Sequence, residues 1–230
     1  MSEDFDISAD AEALAHRVAE WLIGVVAAHP APVRVALSGG STPRRMFTRL
    51  AAPECARRMD WAKLHVFWGD ERCVPYDSTD SNYGEAKRLL LDHVPIIPAQ
   101  IHPFDVTLPP VEAARAYDEL LRRSAPDGPI FAVTFLGLGE DGHTASLLPG
   151  QPVLEEREAL AAMVAEGRPE VRLTLTYPAL ARSEIVAFLV SGEAKRPIFR
   201  DLRAGLADVP AARLRPEGRR IWFADQSALG

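Results

Sequence analysis

The chain has 230 residues, 47% of them hydrophobic and 25% charged, an ordinary globular composition with enough apolar material to bury a core. Its formal net charge of -6 comes from intermingled acids and bases, which excludes a nucleic-acid footprint and a polybasic membrane patch. Any anionic ligand must therefore be met by local basic groups.

Cys55 and Cys73 form no CxxC pair and no disulfide framework, which suits a reducing compartment, and both are expected to be inert. Met1 to Asp6 is acidic where a signal peptide carries positive charge. The longest early apolar run, Trp21 to Ala28, is far short of the roughly 18 to 20 residues of a membrane-spanning helix. A cytoplasmic protein is expected.

In chain order, Ala13, Leu14, Val18, Trp21, Leu22 and Val25 recur at spacings of three and four, predicting an amphipathic helix from Asp10 to Ala28. His29-Pro30-Ala31-Pro32 stops it. Val33 to Leu37 reads as a strand, followed by a glycine turn and a helix from Pro43 to about Leu50. Leu64 to Trp68 repeats the scheme, with Gly69-Asp70-Glu71-Arg72 at its end and a helix from about Asn82 to Leu91. A helix from about Val111 to Arg123 precedes the apolar strand Ile130 to Leu136, which runs into a glycine-rich loop. Further strands are expected at Val171 to Thr176, Ile185 to Val190 and Arg220 to Phe223, with a helix from about Glu193 to Ala204. Pro95 to Pro103 and Pro109-Pro110 read as surface loops. No repeat or linker divides the chain, so a single domain over 1–230 is expected. Short apolar strands alternating with helices predict an α/β fold with a mostly parallel sheet flanked by helices. Such sheets bind ligands beyond the carboxyl ends of their strands, where the polar motifs fall.

The first motif is Ser38-Gly39-Gly40-Ser41-Thr42-Pro43. Its glycines permit a tight turn, Thr42 can cap, and Pro43 suits the first helical position. The helix N-terminus then offers unpaired amides and a positive dipole end to a phosphate. A well-capped turn without a ligand fits the same residues, and the spacing is not that of a Walker loop. The second, Gly137-Leu138-Gly139-Glu140-Asp141-Gly142-His143, formally fits GxGxxG after a strand. Glu140 and Asp141 place negative charge where a pyrophosphate would sit, so no dinucleotide is expected. The glycines instead hold an acid and an imidazole in a strand-end loop, where His143 can act as a general base.

In Gly69-Asp70-Glu71-Arg72, Asp70 can handle a proton or grip a sugar hydroxyl, and Arg72 can neutralise a phosphate or a developing oxyanion. A surface ion pair explains the same residues. Arg172 and Lys195 are further basic groups near strand ends, each also readable as a solvated charge. No GxSxG elbow presents a serine nucleophile. The six histidines show no HExxH and no paired ligand spacing, so neither metal nor cofactor is expected.

Together, Leu37 to Arg44, Trp68 to Tyr76, Ser81 to Leu90, Leu136 to Gly150, Arg172 to Leu180 and Ser191 to Arg196 resemble the 6-phosphogluconolactonase family. The similarity runs from about Ala11 to Phe223, and a GxGxDGHTASL(F/L)P pattern is its most specific element. The related glucosamine-6-phosphate deaminase family continues its DGH segment as IAFNEP, supplying a glutamate used in ring opening. This chain reads TASLLP, and leucine at position 148 argues against deamination. The resemblance implies a fold of the deaminase and ribose-phosphate isomerase kind, with a Rossmann-like sheet that binds no dinucleotide.

It also implies hydrolysis of 6-phospho-D-glucono-1,5-lactone to 6-phosphogluconate in the oxidative pentose phosphate pathway; a monomer or weak homodimer is expected. The alternatives are a deaminase/isomerase and a non-catalytic sugar-phosphate-binding protein. Carried onto this chain, the resemblance sets the phosphate against Gly39, Gly40, Ser41 and Thr42, with Arg172 and Lys195 as cationic partners. His143 is then the base that activates water. Asp141 and Asp70 orient the imidazole or the sugar hydroxyls, and Arg72 steadies the anionic intermediate or the phosphate.

Overall fold

The computed structural model describes residues 3–230; Met1 and Ser2, which begin the acidic stretch and the expected domain, lie outside the described residues. Strand β1 (Glu3–Ser8) leads into helix α1 (Ala11–Ala28). Asp10 caps that helix, its side chain accepting from Glu12 N at 3.0 Å and Ala13 N at 2.8 Å, a cap worth about 1 kcal/mol. Then come β2 (Val33–Leu37), α2 (Ser41–Ala51), α3 (Pro53–Ala56), β3 (Leu64–Trp68), β4 (Asp70–Arg72) and α4 (Asn82–Leu89). β5 (Ile101–His102), α5 (Pro110–Ser124) and β6 (Phe131–Gly137) complete the middle of the chain. The remainder is β7 (Ala161–Val164), β8 (Arg172–Leu175), α6 (Tyr177–Ala181), β9 (Ser183–Val190), α7 (Arg196–Arg203), α8 (Pro210–Arg213), β10 (Arg219–Asp225) and α9 (Gln226–Leu229).

Seven strands form one parallel sheet in the order β1-β10-β9-β6-β2-β3-β5. From β2 the chain winds outward through β3 to β5, then returns to the other side of β2 as β6 and winds out through β9 and β10. The winding therefore reverses between β2 and β6, and a crevice opens beyond their carboxyl ends. Helices cover both faces. Neighbouring strand residues point to opposite faces: Phe67 packs on Tyr117 of α5 with ring centroids 6.5 Å apart, while Trp68 packs on Tyr83 of α4 at 5.2 Å. Trp21 of α1 meets Phe135 of β6 and Phe223 of β10 at 6.1 and 5.1 Å.

Four strands, β1, β4, β5 and β7, go beyond the sequence reading; β5 and a 3-10 turn over Pro98–Gln100 lie within Pro95 to Pro103, which read as a surface loop. β1 extends the sheet at its edge, where Glu3 accepts from Trp222 Nε1 at 2.6 Å; its acidic residues disguise the alternation of Phe5 and Ile7. β4, β8 and β7 form a separate antiparallel sheet in the order β4-β8-β7, so Val171 to Thr176 does not join the parallel one. Gly69 links the sheets: its N–H donates to Leu37 O and its carbonyl accepts from Leu175 N, both at 2.8 Å. The helix expected from Glu193 is split, because Gly192 at φ 96 leads into a 3-10 turn over Glu193–Lys195 before α7 begins. Pro110, read as loop, is the first residue of α5, where its missing N–H costs nothing.

Cys55 is buried and Cys73 half-buried, both free. Burial pushes both thiols up, away from the thiolate form that a reactive cysteine needs. No helix among the described residues is long and apolar enough to cross a membrane.

His65 of β3 and His102 of β5 stack, with His65 Nδ1 and His102 Nε2 3.1 Å apart. Burial lowers both imidazoles, aided at His65 by the charge of Arg34 and at His102 by that of His65. A histidine held neutral in the folded state contributes stability above its unfolded value of about 6.5, and loses it as pH falls below that. The urea midpoint is expected to fall between about pH 7.5 and pH 5, and to fall less in His102→Gln. An equal fall in both proteins would contradict this.

Candidate active site

The cleft at the winding reversal has a volume of about 230 Å³ and is lined by Gly39, Gly40, Ser41, Thr42, Asp70, Arg72, His143, Arg172 and Lys195 among others. Every residue nominated from the sequence is there except Asp141, which stands behind His143.

The phosphate-loop candidate differs in detail from expectation. α2 begins at Ser41, so Thr42 lies within its first turn and is not the cap. Gly40 occupies the N-cap at φ 109, a conformation that L side chains rarely adopt, and this turn starts the helix two residues before Pro43. Among the described residues no side chain caps the helix, and no acid lies in its first turn. The Ser41 and Thr42 amides find no acceptor among the described residues, at the positive end of an 11-residue helix. Gly39 is required by packing, since a Cβ there would fall 1.9 Å from Asn82 Oδ1.

After β6, Gly139 N donates to His143 O at 2.9 Å and Gly142 N to Gly139 O at 3.0 Å, folding the loop back on itself. This brings Asp141 Oδ1 within 2.5 Å of His143 Nδ1 and 3.1 Å of His143 N. The ionised carboxylate accepts a hydrogen bond from Nδ1–H, so Nε2, which has no partner among the described residues, carries the free lone pair. Burial works against the Asp141 anion. The ring and backbone N–H groups of His143 and the guanidinium of Arg168 outweigh it and hold the carboxyl at about 2.

Asp70 is buried at 6% exposure. Its Oδ2 accepts from Ser146 Oγ at 2.7 Å and its Oδ1 from Asn82 Nδ2 at 3.2 Å. Of the two carboxylates expected near the imidazole, only Asp141 bonds it. Ser146 reaches Asp70 because Ala145 turns the chain at φ 49, a left-handed conformation costing a non-glycine residue about 1 to 2 kcal/mol. Glu71, fully buried, accepts from the Asn82 and Tyr83 amides at 2.8 Å each and so anchors the start of α4. Burial pushes its carboxyl up despite these bonds.

Arg72 and Arg172 face each other across β4 and β8, a like-charge pairing that destabilises a sheet. The Nε of each is buried without a partner among the described residues. Arg72 donates through Nη1 to Asp80 O at 2.5 Å, and Arg172 lies 3.6 Å from Glu170. Burial, and then the charge of Arg72, draw Arg172 below its usual value. An anion with several acceptor oxygens would relieve both the repulsion and the unused donors. Across the cleft, Asp225 accepts from Ser191 Oγ at 2.5 Å and Gly192 N at 3.2 Å, fixing the turn that carries Lys195. Lys195 Nζ is 4.0 Å from the exposed Glu140.

Sequence reasoning passed over Asn82, Ser146 and Arg168. The first two lie inside quoted motifs but became partners of Asp70 only on folding. Arg168 sits in the β7–β8 hairpin, whose first strand, β7, was not read from the sequence. Among the described residues no cluster of three or more His, Cys, Asp or Glu side chains is arranged to hold a metal ion.

The family model described as glucosamine-6-phosphate isomerases/6-phosphogluconolactonase matches residues 6–222. A 6-phosphogluconolactonase of a Synechocystis strain is 40% identical over 203 residues, covering 84% of this chain and 82% of that protein. The crystal structure of a protein named devB matches with a TM-score of 0.92 at 31% identity, covering 99% of this chain and 98% of that one. The 6-phosphogluconolactonase structure from Trypanosoma brucei gives a TM-score of 0.85 at 28% identity, covering 99% and 97%. These likenesses agree with the expected sheet flanked by helices, and with a family model spanning nearly its whole length the chain belongs to the glucosamine-6-phosphate isomerase/6-phosphogluconolactonase family.

Proposed function

We infer that the protein is a lactone hydrolase that converts 6-phospho-D-glucono-1,5-lactone to 6-phosphogluconate. The observation that carries this reading is one arrangement: the Asp141-backed imidazole of His143 shares a cleft with an uncapped helix N-terminus and two guanidiniums with unused donors. Water gives a proton to His143 Nε2 as its oxygen attacks the lactone carbonyl, whose electrons move onto oxygen to form a tetrahedral oxyanion. Collapse breaks the bond from that carbon to the ring oxygen, which takes the proton back from the imidazolium. Asp141 stays ionised throughout and stabilises the imidazolium. A base of this kind contributes about 10²- to 10⁴-fold and a preorganised donor about 10²- to 10³-fold, which suffices for an activated ester without a covalent nucleophile.

The phosphate is assigned to Gly39, Gly40, Ser41 and Thr42 with Lys195 and Arg172. Asp70 is assigned to the sugar hydroxyls, and Arg72 to the developing oxyanion or the phosphate. Leu148, at 2% exposure, offers no acid for ring opening, so deamination is not favoured. The enzyme is placed in the cytoplasm as a monomer or weak homodimer whose partner is the phosphosugar lactone, with no nucleic acid or membrane.

Comparing the phosphorylated lactone with unphosphorylated gluconolactone tests the assignment. Arg172→Ala and Lys195→Ala are each expected to raise KM for the phosphorylated lactone by about 10-fold or more, with kcat and the unphosphorylated reaction changed far less. Equal losses with both lactones would remove these residues from the phosphate.

A further inference from the structure

The two oxygens of Asp141 are not equivalent. Oδ1 serves His143, while Oδ2 accepts from Arg168 Nη2 at 3.0 Å. Bound through Oδ1 alone, a carboxylate on a flexible loop could rotate and offer either oxygen, or turn away. A second bond on Oδ2 removes that freedom. Arg168 is itself held: its Nη1 donates to Gly167 O at 2.9 Å. Gly167 at φ +89 is seated so that a Cβ would come 3.0 Å from Leu148 Cδ1 and 3.1 Å from Gln151 Nε2. The hairpin thus rests on the segment that follows the His143 loop.

We propose that Arg168 is a positioning residue for the reaction: its clamp on Asp141 Oδ2 fixes Oδ1 on His143 Nδ1 and keeps the Nε2 lone pair turned to the cleft. This rests on the reading of His143 as the base. Two other roles fit less well. A solvated ion pair contributes about 0–1 kcal/mol and would leave the partner free, whereas here both Asp141 oxygens are committed. A substrate-binding cation would line the cleft, and Arg168 does not. Its guanidinium, a donor only, is 3.4 Å from His143 Nδ1, whereas the acceptor-only Asp141 Oδ1 is 2.5 Å away, so Nδ1 keeps its proton and donates a hydrogen bond to the carboxylate.

The test combines proton NMR of the free enzyme with steady-state kinetics. The His143 Nδ1 proton, assigned by its loss in His143→Ala, is expected far downfield. Arg168→Gln is expected to weaken or remove it and to lower kcat by about 10-fold with KM nearly unchanged; Arg168→Lys should restore part of both. In Asp141→Asn the further change Arg168→Gln should cost little, because the clamp has lost its object. An unmoved resonance with wild-type kcat, a raised KM with kcat preserved, or a fully additive loss in the double variant would each overturn the proposal. Should Arg168→Gln fail to fold, Arg168→Lys carries the same decision: a shifted resonance with lowered kcat supports it, and an unshifted one overturns it. Failure of the hydrolase reading would appear instead as a wild-type enzyme without turnover, whatever the resonance does.

Discussion

Replacing His143 with alanine is expected to lower kcat for lactone opening by about 10²- to 10⁴-fold and to leave KM nearly unchanged. The imidazole takes a proton only as water attacks, so the interaction lost belongs to the transition state. The ring is held by Asp141, not by the phosphate-binding wall of the cleft, so its removal leaves the Ser41 and Thr42 amides, Lys195 and the guanidiniums in place. Initial rates over a range of fresh substrate, with spontaneous opening subtracted, measure this. A variant with wild-type kcat would take His143 out of the mechanism, and one with raised KM alone would make it a binding group.

Gly139→Ala is expected to lose most of the same activity without removing any chemical group. A methyl at Gly139 would fall 2.0 Å from His143 Nδ1 and 2.5 Å from Asp141 Oδ1, distances at which one partner must move. The imidazole and carboxylate are side chains on a loop, whereas the Gly139 backbone is fixed by bonds to both His143 O and Gly142 N. The pair therefore separates before the loop does. We expect kcat to fall by about 10²-fold or more and the melting temperature to change by no more than about 4 °C. Near-normal kcat would show that the Asp141–His143 contact is dispensable.

How much of this was legible beforehand follows from where each contact lies along the chain. The strands after which polar motifs fall were readable because short buried parallel strands leave nearly continuous apolar runs, and Leu37, Trp68 and Leu136 each end one. Asp141 and His143 are two residues apart, so a local loop brings them together. Asp70 depends on Ser146, 76 positions away, and Asp141 on Arg168, 27 positions away; no local pattern encodes such meetings. The small antiparallel sheet was invisible for a related reason. β4 has only three residues, all polar, and β7 only four, too few to show a period of two. Thr42 suited the cap by residue type, but the positive φ available to Gly40 started the helix earlier.

The most direct test of the account is turnover of freshly generated 6-phosphogluconolactone by the wild-type enzyme in chelator, alongside an assay for ammonia release from glucosamine-6-phosphate. Fast, chelator-resistant opening with no ammonia is the predicted result. Opening no faster than the spontaneous rate would contradict it, pointing to deamination if ammonia appeared and to a binding protein if it did not.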